Sequence, residues 1–273
     1  MTPFFIVSSG RSGTAMLQKA LSEAGVDMHH EFAVETVQPL AVRRYLGLAR
    51  YEEALETLAQ THVAAIEKSS YSQWGDSSNK LSWMIPELAQ LLPEAKFVHL
   101  VRDGRKVCGS YFRKLGDECY DDESTAAIQT HYDNPLHALA PPPEKKYWWP
   151  VPRKGDPIAS TFRAFGQFQR ICWHWAEINR VILEALSTLR PDRQHFVRLE
   201  DLTESPDEAA GLYDFLNLPY RDEAFDVFGR PHNVNRPEDQ LLEPLELKQF
   251  NGIAGGTMEQ LGYAGRAEYV VNY

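Results

Sequence analysis

Hydrophobic and polar positions divide the chain into short apolar runs and longer amphipathic stretches. Phe4–Val7 has the length and composition of a buried strand, the amphipathic stretch Met16–Leu21 predicts a helix to about Ala24, and a short strand is expected over Val26–Glu31. The pattern is helical over 36–66, with Leu55, Leu58 and Val63 at helix spacing, and a short strand near Ala64–Glu67 is expected to end at Lys68. Trp83–Leu92 reads as a helix closed by Pro93, and Lys96–Val101 as a strand leading into Arg102. Asp103 then sits at the N-cap of a helix over Gly104–Leu115.

Regularity fails between 117 and 157. Acids cluster at Asp117, Glu118, Asp121, Asp122 and Glu123, followed by Pro141-Pro142-Pro143, Trp148-Trp149-Pro150 and Pro152. An irregular stretch of that length inside a compact domain reads as a functional cap over a substrate. A long helix is expected from Ile158 to Leu189, with Phe162, Phe165, Phe168, Trp173 and Trp175 as core. A strand over His195–Leu199 leaves through Glu200-Asp201-Leu202 into a helix over Pro206–Leu216, and a tail at 230–263 turns helical from Glu243 to about Ile253. Strands separated by helices predict an α/β fold: one domain over 1–273, with a parallel sheet flanked by helices. Its ligand crevice lies beyond the C-terminal strand ends, where Arg11, Lys68 and Arg102 would meet.

Composition narrows the function classes. The 273 residues, 43% hydrophobic, suffice for a core without covalent staples, and the three cysteines, Cys108, Cys119 and Cys172, lack metal-ligand spacing. They predict a reduced, cytoplasmic protein. A formal net charge of −10 argues against a nucleic-acid partner, and the first apolar run ends at Ser8, too short for a membrane span. A polyanionic ligand would have to be met by a local basic cluster.

Two segments have that character. After Phe4–Val7 comes Ser8-Ser9-Gly10-Arg11-Ser12-Gly13-Thr14-Ala15, a phosphate cradle in make-up: glycines turn the backbone N–H groups inward, a helix start adds its dipole, and Arg11, Ser12 and Thr14 add charge and donors. It is P-loop-like but no Walker A motif, because Gly10 and Gly13 are too close together and no Gly-Lys-Ser/Thr follows. In the second segment Arg102 leaves a strand end and Ser110 follows eight residues later, so a guanidinium and a hydroxyl could share one phosphate.

With both motifs, the chain resembles the sulfotransferases that use 3′-phosphoadenosine 5′-phosphosulfate (PAPS). The resemblance runs from position 4 to about 216 and rests on Arg11-Ser12-Gly13-Thr14, on Arg102 with Ser110, and on the Glu200-Asp201-Leu202 signature after a strand. It implies that Gly10, Arg11, Ser12, Gly13, Thr14 and Ala15 hold the 5′-phosphosulfate and that Arg102 and Ser110 hold the 3′-phosphate. Arg236 would belong to a C-terminal segment over the nucleotide, adenosine 3′,5′-bisphosphate would be the product, and no metal is implied.

The cytosolic Lys-x-His motif is replaced here by Lys68-Ser69-Ser70, so the expected base is missing. Glu31 matches the catalytic Glu of tyrosylprotein-type members in its distance from the first loop, and His30 is the rival base. Strand alternation would let Glu31 and His29 share the site while His30 points away. The expected reaction is in-line sulfuryl transfer to a hydroxyl or amine of a small-molecule acceptor. Lys68 and Arg11 would meet the developing charge. Aromatics and carboxylates in the cap suggest an aromatic or cationic acceptor. Two other readings stay open: a nucleotide-dependent kinase, and a PAPS-binding family member without catalysis.

Overall fold

The computed structural model describes residues 2–228 and 241–268. β1 (Phe4–Val7) leads to α1 (Thr14–Glu23), β2 (Asp27–His30), α2 (Val34–Tyr45) and α3 (Tyr51–Leu58). A π-helical stretch joins α3 to α4 (Ala64–Lys68), and β3 (Trp74–Ser77), α5 (Ile85–Leu91) and β4 (Lys96–Val101) follow. Beyond them lie α6 (Gly104–Lys114), α7 (Asp122–Asp133), α8 (Ala159–Phe162), α9 (Gln167–Ser187) and β5 (Gln194–Arg198). α10 (Leu199–Glu204), α11 (Pro206–Phe215), α12 (Asp222–Phe228) and α13 (Pro244–Gln260) complete the order.

The five strands form one sheet in the order β2-β3-β1-β4-β5, with every neighbouring pair parallel. A central parallel strand is covered on both faces, which is why Phe4–Val7 is apolar at every position. Phe5 and Val7 enter the core under α2, α5 and α9, whereas Phe4 and Ile6 enter the core under α1 and α11. β4 divides in the same way, sending Phe97 and Val101 to the first core and Val98 and Leu100 to the second. Among the described residues no helix is long and apolar enough to cross a membrane.

The third strand departs from expectation. Ala64–Lys68 is helical, the end of an almost continuous helical run from Tyr51, and only Ile66 within it is buried. Ala-rich sequence favours that helix, and a single buried side chain does not require a strand. The strand is instead Trp74-Gly75-Asp76-Ser77, buried throughout despite its polarity. Each polar residue finds a partner: Asp76 accepts from the Phe32 N–H at 3.2 Å, and Ser77 Oγ donates to the His29 carbonyl at 3.3 Å. Gly75 is demanded by contact, since a Cβ there would lie 2.6 Å from the Phe4 ring and from Met28 Sδ.

Other boundaries move for local reasons. The expected helix from Ile158 breaks into α8 and α9 at Gly166, whose N–H donates to Gln169 Oε1 at 3.1 Å. The segment 117–157 is not structureless: it holds α7, capped by Asp121 through the Ser124 N–H, and it buries Trp148, Trp149 and Val151. Leu199 opens α10 rather than closing β5, and the last helix runs to Gln260.

Candidate functional site

The loop after β1 is a left-handed turn. Gly10, Arg11 and Gly13 have φ of 78°, 54° and 91°, and alternation of this kind aims successive N–H groups into one concavity. Neither glycine tolerates a side chain: a Cβ on Gly10 would sit 2.1 Å from the Tyr111 hydroxyl, and one on Gly13 would sit 2.6 Å from Leu199 Cδ1. The loop is locked from below, with the Gly10 N–H donating to Ser8 Oγ at 3.1 Å and Ser12 Oγ donating to the Gly10 carbonyl at 3.0 Å. Gly13 is the N-cap of α1 and supplies no capping side chain, so the first-turn amides, those of Thr14 and Ala15 included, stand ready for an anion.

The second cradle begins one strand away. Asp103 caps α6 by accepting from the Arg105 N–H at 2.9 Å, as its position in the sequence predicts. Arg102 Nη1 donates to the Arg11 carbonyl at 3.1 Å, and Arg11 Nε donates to Ser110 Oγ at 3.0 Å. Arg11, Arg102 and Ser110 therefore form one cluster, and Arg11 reaches from the first cradle into the second. Lys114 joins them, its ammonium held below the usual lysine range by burial and by the positive charges of Arg11 and Arg102. Arg105 and Lys106 are neutralised instead, Arg105 by its own Asp103 at 2.7 Å and Lys106 by Glu268 at 3.1 Å.

A third feature was not visible in the sequence. Lys80, three residues beyond β3, is buried with its Nζ 4.4 Å from the centre of the Trp149 ring. Burial lowers its pKa to about 7, and the opposing pull of Glu31 does not restore it. Glu31 stands just past β2 with its N–H on the Ser77 carbonyl at 3.1 Å and its Oε2 3.2 Å from Lys145 Nζ of the cap. Burial would raise the Glu31 carboxyl, but Lys80 and Lys145 outweigh it and hold it below the ordinary value.

Lys68 has to be corrected. It is an exposed residue at the end of α4, not the residue leaving a strand, so the strand-end position beside the first loop belongs to Lys80. The polar Gly-Asp-Ser-Ser run masked the strand that delivers it. His29 also departs from expectation: it packs on Trp74 and Phe32 with Nε2 3.2 Å from Asp27 Oδ1, because the positive φ of Glu31 ends strand alternation. His30 is turned to β3, its Nδ1 2.9 Å from both Ser77 oxygens. Arg236 lies outside the described residues, as does 229–240 of the tail.

The sequence profile described as the sulfotransferase family matches residues 3–141, half of the 273-residue chain. The chain belongs to the sulfotransferase family. As a sulfotransferase it is a transferase of sulfuryl groups. The sulfotransferase domain of the Synechococcus PCC 7002 olefin synthase superposes with a TM-score of 0.52 at 17% identity, over 98% of this chain and 96% of that one. The sulfotransferase domain from the curacin biosynthetic pathway gives 0.49 at 18% identity, over 99% and 93%. A sulfotransferase from Alicyclobacillus acidocaldarius gives 0.48 at 13% identity, over 96% and 94%. No curated protein sequence matches the chain.

The clash at Gly10 makes a prediction for this sulfotransferase. Gly10→Ala should cost about 1–3 kcal/mol through overpacking and backbone strain. Combining it with Tyr111→Phe, which removes the clashing hydroxyl, should lose less than the sum of the two single changes. Denaturant unfolding of the four proteins checks this, and strict additivity would show that the hydroxyl does not press on the loop.

Proposed function

We propose that the protein transfers the sulfuryl group of PAPS to a hydroxyl of a small-molecule acceptor. The observation that carries this reading is the single cluster of Arg11, Arg102 and Ser110, joined by bonds of 3.0 and 3.1 Å across two adjacent strand ends. One anion cradle suits any phosphate ligand; two in contact suit a nucleotide with phosphates at both ends of its ribose. The donor set fits: loop amides and Thr14 for the 5′-phosphosulfate, and Arg102 with Ser110 for the 3′-phosphate.

PAPS, when bound, supplies an activated sulfuryl group on a phosphate leaving group. Glu31 takes the proton of the acceptor hydroxyl; being ionised at neutral pH, it is ready to accept. His30 is the less suitable base, since one ring nitrogen is already engaged by Ser77. Lys80 takes the role first given to Lys68, meeting charge on the sulfuryl group and the bridging oxygen, with Arg11 supporting from the loop. Arg11 keeps its proton and acts by charge alone. Trp149 and the buried cap exclude water around the Lys80 ammonium.

Two measurements test the reading. In a thermal-shift titration, adenosine 3′,5′-bisphosphate should raise the melting temperature without magnesium, and Arg102→Ala should abolish the rise. Stabilisation by magnesium-ATP alone would favour a kinase. In kinetics, Glu31→Gln should lower kcat by roughly 10²–10⁴-fold, and Lys80→Met by roughly 10²–10³-fold. Wild-type kcat/KM should fall as pH rises through about 7, where free Lys80 loses its proton, with its acid limb below the ordinary carboxylate range. Lys80→Met should erase the alkaline limb; a limb that survives unchanged belongs to another group.

A further inference from the structure

Asp121, Asp122, Glu123, Asp133 and the paired tryptophans of the cap are engaged in holding it in place. Asp121 caps α7, Asp122 pairs with Arg170 at 2.7 Å, and Glu123 accepts from the Tyr147 hydroxyl at 2.8 Å. Asp133 pairs with Arg163 at 2.7 Å. Trp148 and Trp149 are buried, each indole N–H donating at 2.8 Å, to the Pro142 and Glu118 carbonyls. None of these contacts leaves a carboxylate turned toward Glu31.

What the cap does turn toward Glu31 is an ammonium. Lys145 Nζ lies 3.2 Å from Glu31 Oε2, and both groups are open to solvent, their side chains 47% and 26% exposed. The backbone beneath Lys145 is fixed. Gln38, buried in α2, donates from Nε2 to the Lys145 carbonyl at 3.0 Å and to the Trp148 carbonyl at 2.9 Å. Lys80 acts on the same carboxylate, and among the described residues His30 and the Tyr111 phenol are further titratable neighbours of Glu31.

We propose that Lys145 is an acceptor-binding residue that holds a carboxylate carried by the acceptor, making the substrate class a hydroxycarboxylate. The inference rests on the reading above, in which Glu31 meets the acceptor hydroxyl. An acceptor carboxylate would draw Lys145 off Glu31, releasing that carboxylate to take the proton. Geometry bounds the acceptor. With Lys145 Nζ 3.2 Å from Glu31 Oε2 and ordinary charge-assisted bonds on either side, hydroxyl and carboxylate oxygens lie within about 9 Å of each other. A neutral or cationic acceptor would leave Lys145 on Glu31, competing for the carboxylate that has to take the proton.

Calorimetric titration of the full chain separates the two claims. Adenosine 3′,5′-bisphosphate is added first; if it does not bind, the PAPS reading fails and the acceptor class falls with it. The saturated protein is then titrated with 3-hydroxyoctanoate, with 4-hydroxyphenylacetate, and with the methyl ester of each. At least one acid should bind about tenfold or more tightly than its ester, the difference expected of one charge-assisted bond. Lys145→Ala should erase that preference and Lys145→Glu should reverse it, with the bisphosphate affinity and the melting temperature unchanged. If the bisphosphate binds but neither acid exceeds its ester, or if the preference survives Lys145→Ala, the proposal is overturned.

Discussion

β1 and β4 lie side by side and parallel, with Phe4 opposite Lys96 and Val7 opposite His99, and this register brings both strand ends to one edge of the sheet. The loop after β1 and the residue after β4 then meet, so that Arg102 reaches the Arg11 carbonyl and Arg11 reaches Ser110 on α6. Register is costly to shift here, because sliding a doubly buried strand by one residue exchanges its faces between two packed cores. The same constraint explains the glycines. The helix bearing Ser110 also carries Tyr111, whose hydroxyl donates to the Ser9 carbonyl at 2.9 Å and leaves no room for a Cβ on Gly10.

A chain of net charge −10 gathers positive charge at that edge by deciding which cations to neutralise. Arg105 and Lys106 sit on the same helix as Ser110 yet have carboxylate partners in Asp103 and Glu268. Arg11 is answered by a hydroxyl and Lys80 by the face of an indole. Burial destabilises this ammonium as a cation more than Glu31 steadies it, which lowers its pKa to about 7. That makes it sensitive to any anion placed beside it, and it is well suited to a site in which negative charge migrates during reaction.

The parts of this design that the sequence displays are those where local chemistry and tertiary role coincide. An apolar run followed by Gly-Arg-Ser-Gly-Thr can be read because the turn itself demands those glycines. Asp103 can be read because capping is local. β3 was hidden because its polar residues are satisfied only by distant partners: Asp76 by the N–H of Phe32, and Ser77 by the backbone of β2. An alternation rule sees no strand in Trp-Gly-Asp-Ser, so the pattern points to Lys68 although the lysine that follows this strand is Lys80. The cap misled in a similar way. Its composition counts acids and aromatics, whereas its chemistry depends on which are consumed internally and on the one side chain, Lys145, that faces Glu31.

The central claim is that the two cradles grip one nucleotide, and a crystal structure with adenosine 3′,5′-bisphosphate tests it most directly. The account predicts the 5′-phosphate on the amides of residues 11–15, the 3′-phosphate between Arg102 and Ser110, and Lys80 on the open side of the 5′-phosphate. A nucleotide bound with only one phosphate in contact with this cluster, or away from the C-terminal edge of β1 and β4, would contradict it.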